Sequence, residues 1–182
     1  MPDEIRKGTI IYLLRQLGEK QIGKISIQKL VYFLQAFGID LSYKYEMYHY
    51  GPYCFELSND LDLLSMMNII SIEDSPTTYG YSIKLGDSVD DKPNPVAQQF
   101  LSSHESCFKS MLAVLGSCSA RELELYATMH FVERILKERG RDFSAGAVIY
   151  EVEFLKPKYS KDELRAAYQY LLENSIVGVQ AV

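Results

Sequence analysis

His49, His104, His130, Cys54, Cys107 and Cys118 are the side chains best suited to nucleophilic, acid–base or metal chemistry near neutral pH, and their spacing offers little. His49 stands five residues before Cys54, across Gly51-Pro52, a conceivable thiol–imidazole pairing. No third group in the sequence orients such a base. A role in hydrogen bonding around the Gly-Pro turn suits His49 better. His104 falls on an apolar helical stripe and reads as a satisfied core histidine. His130 has Glu133 and Arg134 as neighbours but no HxxxH or HExxH partner, so no metal ligation is expected. The three cysteines are odd in number and form no CxxC, which argues against a disulfide framework and a zinc ribbon. They read as ordinary thiols of a reducing cytoplasm. GxSxG, GxxxxGK[ST] and GxGxxG are all absent. The expectation is a chain with no catalytic residue, no metal and no cofactor.

Binding chemistry has better material. Tyr43, Tyr45, Tyr48, Tyr50 and Tyr53 are five of the 14 tyrosines. They suit a base-stacking surface or a protein-interface hot spot, or else a strand with aromatic packing on both faces. Alternate positions of a strand point opposite ways, so only part of the cluster can share one surface. Arg6, Lys7, Arg15, Lys20, Lys24 and Lys29 face a single acid, Glu19, between residues 6 and 29. That is a local charge of +5 in a chain of net −5. Arg6, Lys7, Lys20, Lys24 and Lys29 are the candidate phosphate contacts, with a solvated helix face as the alternative.

These groups must be positioned by local elements. Ile5, Tyr12, Leu13 and Leu17 predict a helix over 4–17 with Asp3 as N-cap. Ser26 is expected to cap a second helix, 27–37, whose Ile27, Leu30, Val31, Leu34 and Phe37 form an apolar face widened by Tyr32 and Phe33. Tyrosine enrichment predicts a strand over 43–50. Gly51-Pro52 breaks it, with Pro52 in the first turn of a third helix over 53–67. That helix carries Glu56, Asn59, Asp60 and Asp62, and no Lys or Arg occurs between Pro52 and Ile72. Readers of base edges want Arg, Lys, Asn or Gln, and carboxylates repel phosphate, so this helix is a poor groove reader. Residues 69–73 and 79–85 read as a β-hairpin, and 87–94 as a linker. Asn94-Pro95 starts one long helix to about 115. Ser119-x-x-Glu122 and Ser160-x-x-Glu163 are capping boxes that open two more. Residues 145–155 fit a helix or a strand equally well.

With 182 residues, one domain or two small ones in contact are expected, large enough to fold without a metal or disulfide staple. Apolar content of 47% and charged content of 24% exclude global disorder. No apolar run approaches the ~18 residues of a membrane span, and the acidic start Met1-Pro2-Asp3-Glu4 does not read as a signal peptide.

Two stretches carry a resemblance. Gln28-Lys29-Leu30-Val31-Tyr32-Phe33 and Tyr48-His49-Tyr50-Gly51-Pro52-Tyr53-Cys54-Phe55-Glu56-Leu57 form a KLxYF helix followed by a YGPxxxEL turn and helix. This pattern resembles the Panacea (SocA-type, antitoxin-associated) domains and the YwgA-like proteins. Leu155-Lys156-Pro157-Lys158-Tyr159-Ser160 looks closer to the YwgA-like group. The likeness covers about residues 5–75 and, more weakly, 145–178. It implies a winged-helix-like regulatory or interaction protein and carries over no catalytic residue. The acidic third helix and the long helical second half depart from the shorter Panacea pattern.

The expected fold is therefore α+β, mostly α. A winged-helix-like module (1–86) and a linker (87–94) precede a helical half packed on it (95–182). The expected function is a non-enzymatic, cytoplasmic protein-interaction module. Its partner surface is Tyr48, Tyr50, Gly51, Pro52, Tyr53 and Glu56. The alternative is a DNA-binding regulator using the basic residues of 6–29, with a homodimer as the route to specificity.

Overall fold

The computed structural model describes residues 1–18, 22–75, 80–89 and 94–178. It is mostly helical, with two small antiparallel sheets. Helix α1 (Asp3–Leu17) leads to α2 (Lys24–Ala36). Strands β1 (Glu46–Tyr48) and β2 (Gly51–Tyr53) form a short hairpin before α3 (Phe55–Met66). Strands β3 (Ile70–Ser75) and β4 (Gly80–Leu85) pair next, and Ile22 adds a bridge to Ile83. Five helices follow: α4 (Pro95–Ser103), α5 (Glu105–Leu115), α6 (Ala120–Glu138), α7 (Ala145–Leu155) and α8 (Lys161–Glu173).

The core is continuous from Ile5 to Val177 and crosses the expected boundary between halves. On α2, Ile27, Leu30, Val31, Phe33 and Leu34 are buried, and so are Gln28, Lys29 and Tyr32. Helix α6 packs against it and against α7 and α8, and both of its apolar lines are buried: Leu123 and Ala127 on one, Leu125 and Met129 on the other. Helix α1 lies so close to α4 that a Cβ on Gly8 would stand 2.5 Å from that of Ala97. The Tyr12 ring meets Phe108 edge-on at 4.9 Å. Among the described residues no helix is long and apolar enough to cross a membrane.

Several boundaries differ from expectation for local reasons. Pro2, not Asp3, is the N-cap of α1, and Asp3 stands in the first turn, where a carboxylate complements the helix dipole. Helix α2 starts earlier, capped by Gly23, and Ser26 is buried inside it. The tyrosine-rich strand shrinks to three residues and turns back on itself. Gly51-Pro52 lies in β2 rather than ending the strand, and Cys54 caps α3. The long helix after Pro95 breaks at His104, whose φ of −114° is not helical. There Nδ1 of His104 bonds the Phe100 carbonyl at 2.8 Å, replacing a backbone partner. Residues 145–155 are a helix capped by Ser144. Both capping boxes form as the spacing predicts. Of the expected linker, residues 90–93 lie outside the described residues.

Candidate interaction site

A three-residue, two-stranded hairpin is marginal alone, so the 46–53 hairpin needs outside support. Helix α2 supplies part of it. The Gln28 carboxamide donates to the Cys54 carbonyl at 2.8 Å and accepts from the Cys54 N–H at 2.9 Å. Lys29, only 1% exposed, donates to the Pro52 carbonyl at 2.7 Å. From the other side Lys156, the C-cap residue of α7, donates to the His49 carbonyl at 2.5 Å. Gly51 has φ +82°, and a Cβ there would stand 2.6 Å from Thr128 Oγ1 and 3.3 Å from the Glu124 carbonyl. Glycine lets the turn sit directly on α6.

The charges beneath the turn form one group. Glu124 is 2% exposed and takes Lys156 and Lys158, each at 2.8 Å. Burial pushes the Lys29 ammonium down to about 7; Glu124 pulls the other way, and Lys156 adds to the drop.

With its backbone held from within, the hairpin turns its rings outward. Tyr48 and Tyr50 are each 49% exposed and Phe55 is 55% exposed. Tyr48 lies 5.7 Å from Tyr53 and 5.6 Å from Phe55, and Tyr53 and Phe55 meet edge-on at 5.0 Å. The His49 ring, 4.4 Å from Tyr48, extends the patch. The exposed Tyr150 and Phe154 sit on α7, whose C-cap residue bonds the hairpin. Tyr43 and Tyr45 do not share this face. Tyr43 is buried, donates to Asp60 Oδ2 at 2.6 Å and has its phenol pushed up by burial and by that bond. Tyr45 donates to the Gln28 carbonyl.

Of the partner-surface residues, Tyr48, Tyr50 and Tyr53 thus carry the face, while Gly51 and Pro52 are buried supports. Glu56 is turned toward α1, 2.6 Å from Arg6. Phe55 is not among the candidates read from the sequence, although it stands three residues after Pro52. Glu124, Thr128 and Lys156 were missed as well. A charged residue between apolar ones, as in Leu123-Glu124-Leu125, was the available signal.

The basic residues of the first two helices are largely spent on the protein itself. Arg6 is buried, donates to the Leu41 and Ser42 carbonyls and Glu56, and stacks on Tyr43 at 4.4 Å. Lys24 pairs with Asp62 at 2.7 Å. Lys7 lies 3.6 Å from Met67 Sδ, and Lys29 faces inward. Lys20 lies outside the described residues.

Cys54 and His49 form no dyad. The Cys54 thiol is 1% exposed, accepts from the Leu57 N–H as a helix cap, and is pushed up by burial, the reverse of an activated thiol. Among the described residues no group of His, Cys, Asp and Glu could hold a metal ion.

No family model and no curated protein matches the chain.

Proposed function

We propose that this protein is a non-catalytic regulatory module that docks a protein partner on the aromatic face of the 46–53 hairpin. The observation that carries this reading is the cluster of Tyr48, Tyr53 and Phe55, solvent-facing on a backbone held by buried bonds from Gln28, Lys29 and Lys156. Aromatic residues that are rigid before binding lose little entropy in a complex, and clusters of them dominate interface energies. An exposed apolar cluster with no structural task is costly to display unless something covers it.

The order of elements supports the same reading. Two helices, a third helix and the β3–β4 hairpin are the parts of a winged helix, although α3 turns Glu56 and Asp62 to bases of α1 and α2 rather than to a groove. The two motifs that resemble the Panacea and YwgA-like proteins also meet in space, since Lys29 of one bonds Pro52 of the other. Antitoxin-like regulation by protein contact is the role that resemblance implies.

Affinity capture from the source cell tests the proposal, with the Tyr48→Ala/Phe55→Ala variant as control. A stoichiometric partner retained by the parent protein and lost from the folded variant is expected, each hot-spot ring contributing about 2 kcal/mol. Equal recovery by both proteins, or only a homodimer in sedimentation, would refute it.

A further inference from the structure

A concave site lies on another part of the surface. It is a pocket of about 370 Å³ between α2, the 43–45 segment and α6, lined chiefly by Tyr32, Tyr43, Lys44, Tyr45, His130 and Arg134. Its size falls within the range of small-molecule sites. No carboxylate is among its lining residues.

Most polar groups of its walls are already committed. Gln35 accepts from the Leu41 and Tyr43 N–H groups and donates to the Tyr43 carbonyl. The Tyr43 and Tyr45 hydroxyls donate to Asp60 and to the Gln28 carbonyl. The buried Tyr32 hydroxyl lies 2.6 Å from His130 Nδ1. Its proton has no other acceptor among the described residues, so Tyr32 donates and Nδ1 accepts. That assignment follows from satisfying a buried O–H, and it puts the imidazole proton on Nε2.

Three donors therefore remain: the His130 Nε2–H, the exposed Lys44 ammonium and the Arg134 guanidinium. Burial, with Arg134 nearby, holds His130 down at about 4, so the ring is a neutral donor near pH 7. Arg134 has a competitor in Glu138, at 3.7 Å on the same helix, but both are about half exposed and such a pair is weak. Lys44 has no ion pair among the described residues. The Tyr32 and Tyr45 rings meet edge-on at 5.1 Å, and Tyr32 meets His130 edge-on at 5.5 Å, giving the pocket flat apolar walls.

We propose that this pocket binds a small aromatic carboxylate, its anion held by Lys44, Arg134 and the His130 ring N–H and its ring seated against the tyrosine walls. Excess donors with no acidic wall select an anion, and the ring walls select a flat apolar body over a bare inorganic ion. The site is independent of the partner face on the hairpin, and either can fail alone.

The test is a titration of the full chain, labelled with ¹³C-histidine, with benzoate, followed by the His130 ring resonance. Benzamide serves as the neutral isostere, and inorganic phosphate as an anion without a ring. Benzoate is expected to move the His130 signal to saturation, with benzamide and phosphate binding at least about tenfold more weakly. Arg134→Gln, on an exposed helix face, should weaken benzoate about tenfold or more, the loss of one charge-assisted contact. Lys44→Gln provides a second variant outside the helical scaffold. No saturable shift up to about 10 mM benzoate would overturn the proposal, since that lies beyond even millimolar affinity. Equal binding of benzamide or phosphate would overturn it too, as would unchanged affinity in both variants.

Discussion

Glu124 holds two ammonium groups, and Lys29 lies near enough to respond to its charge. Both carboxylate and Lys156 are almost fully buried, so neutralising one strands the other away from water. Glu124→Gln is expected to cost about 3–5 kcal/mol of unfolding free energy, read by chemical denaturation. A loss under 1 kcal/mol, the scale of an exposed pair, would mean that water reaches Lys156. Lys29 makes a pH-dependent contribution with a definite sign. Its ammonium sits at about 7 in the folded protein and near the ordinary lysine value of 10.5 when unfolded. Between those values the unfolded chain holds more protons on this group. Its contribution to stability therefore rises with pH across that window, and the burial penalty is complete below it. Lys29→Met removes the titration. The stability difference, parent minus variant, should grow in the parent's favour from about pH 6.5 to about pH 9. A difference that stays constant in parallel denaturant titrations would place the ammonium in contact with solvent.

Elements of this fold divide by where their instructions come from. Helices α6 and α8 are opened by Ser119/Glu122 and Ser160/Glu163, local codes that form as the spacing dictates. Ser160→Ala should cost about 1 kcal/mol in thermal or denaturant unfolding and leave the hairpin untouched. The β1–β2 hairpin is the opposite case. Its strands are too short to persist alone, and it exists because α2 and the residue after α7 hold its carbonyls while α6 packs beneath its turn. Gly51→Ala must strain a φ of +82° and press a methyl toward Thr128. A loss of about 1–3 kcal/mol is expected, with partner capture falling along with it as the aromatic face is displaced. Retained capture by a destabilised variant would show that the face does not depend on the turn. Tyrosine enrichment predicted one strand here, broken by Gly51-Pro52 before a helix over 53–67. It could not see that Gln28 and Lys29 of α2, and Lys156 after α7, would stabilise a second strand from two distant parts of the chain.

At the scale of the molecule, the charge asymmetry along the chain is internal complementarity. Arg6 finds Glu56 and Lys24 finds Asp62, so the basic start and the acidic third helix answer each other across the fold. The core is equally shared. Helix α2 rests on α6, and α1 on α4 and α5. A fragment ending at residue 89 would expose the apolar faces of α1 and α2 to water. It is expected to show no cooperative unfolding transition by circular dichroism, and a sharp transition would make the first half autonomous.

Helix periodicity, the capping boxes, the β3–β4 hairpin and the mostly helical class were all legible in the sequence, because each depends on residues within a few positions of one another. So was the clustering of tyrosines between Tyr43 and Tyr53, from composition alone. The inward role of Lys29, the Glu124 group beneath Gly51, the pairing of Tyr32 with His130 98 residues away, and which tyrosines face water were not. Each needs a partner from a distant element, and burial turns an ordinary lysine or histidine into something its sequence neighbours do not foretell. Residue types and local spacing determined the parts; only tertiary packing decided which charges are desolvated, which are cancelled, and which rings face water.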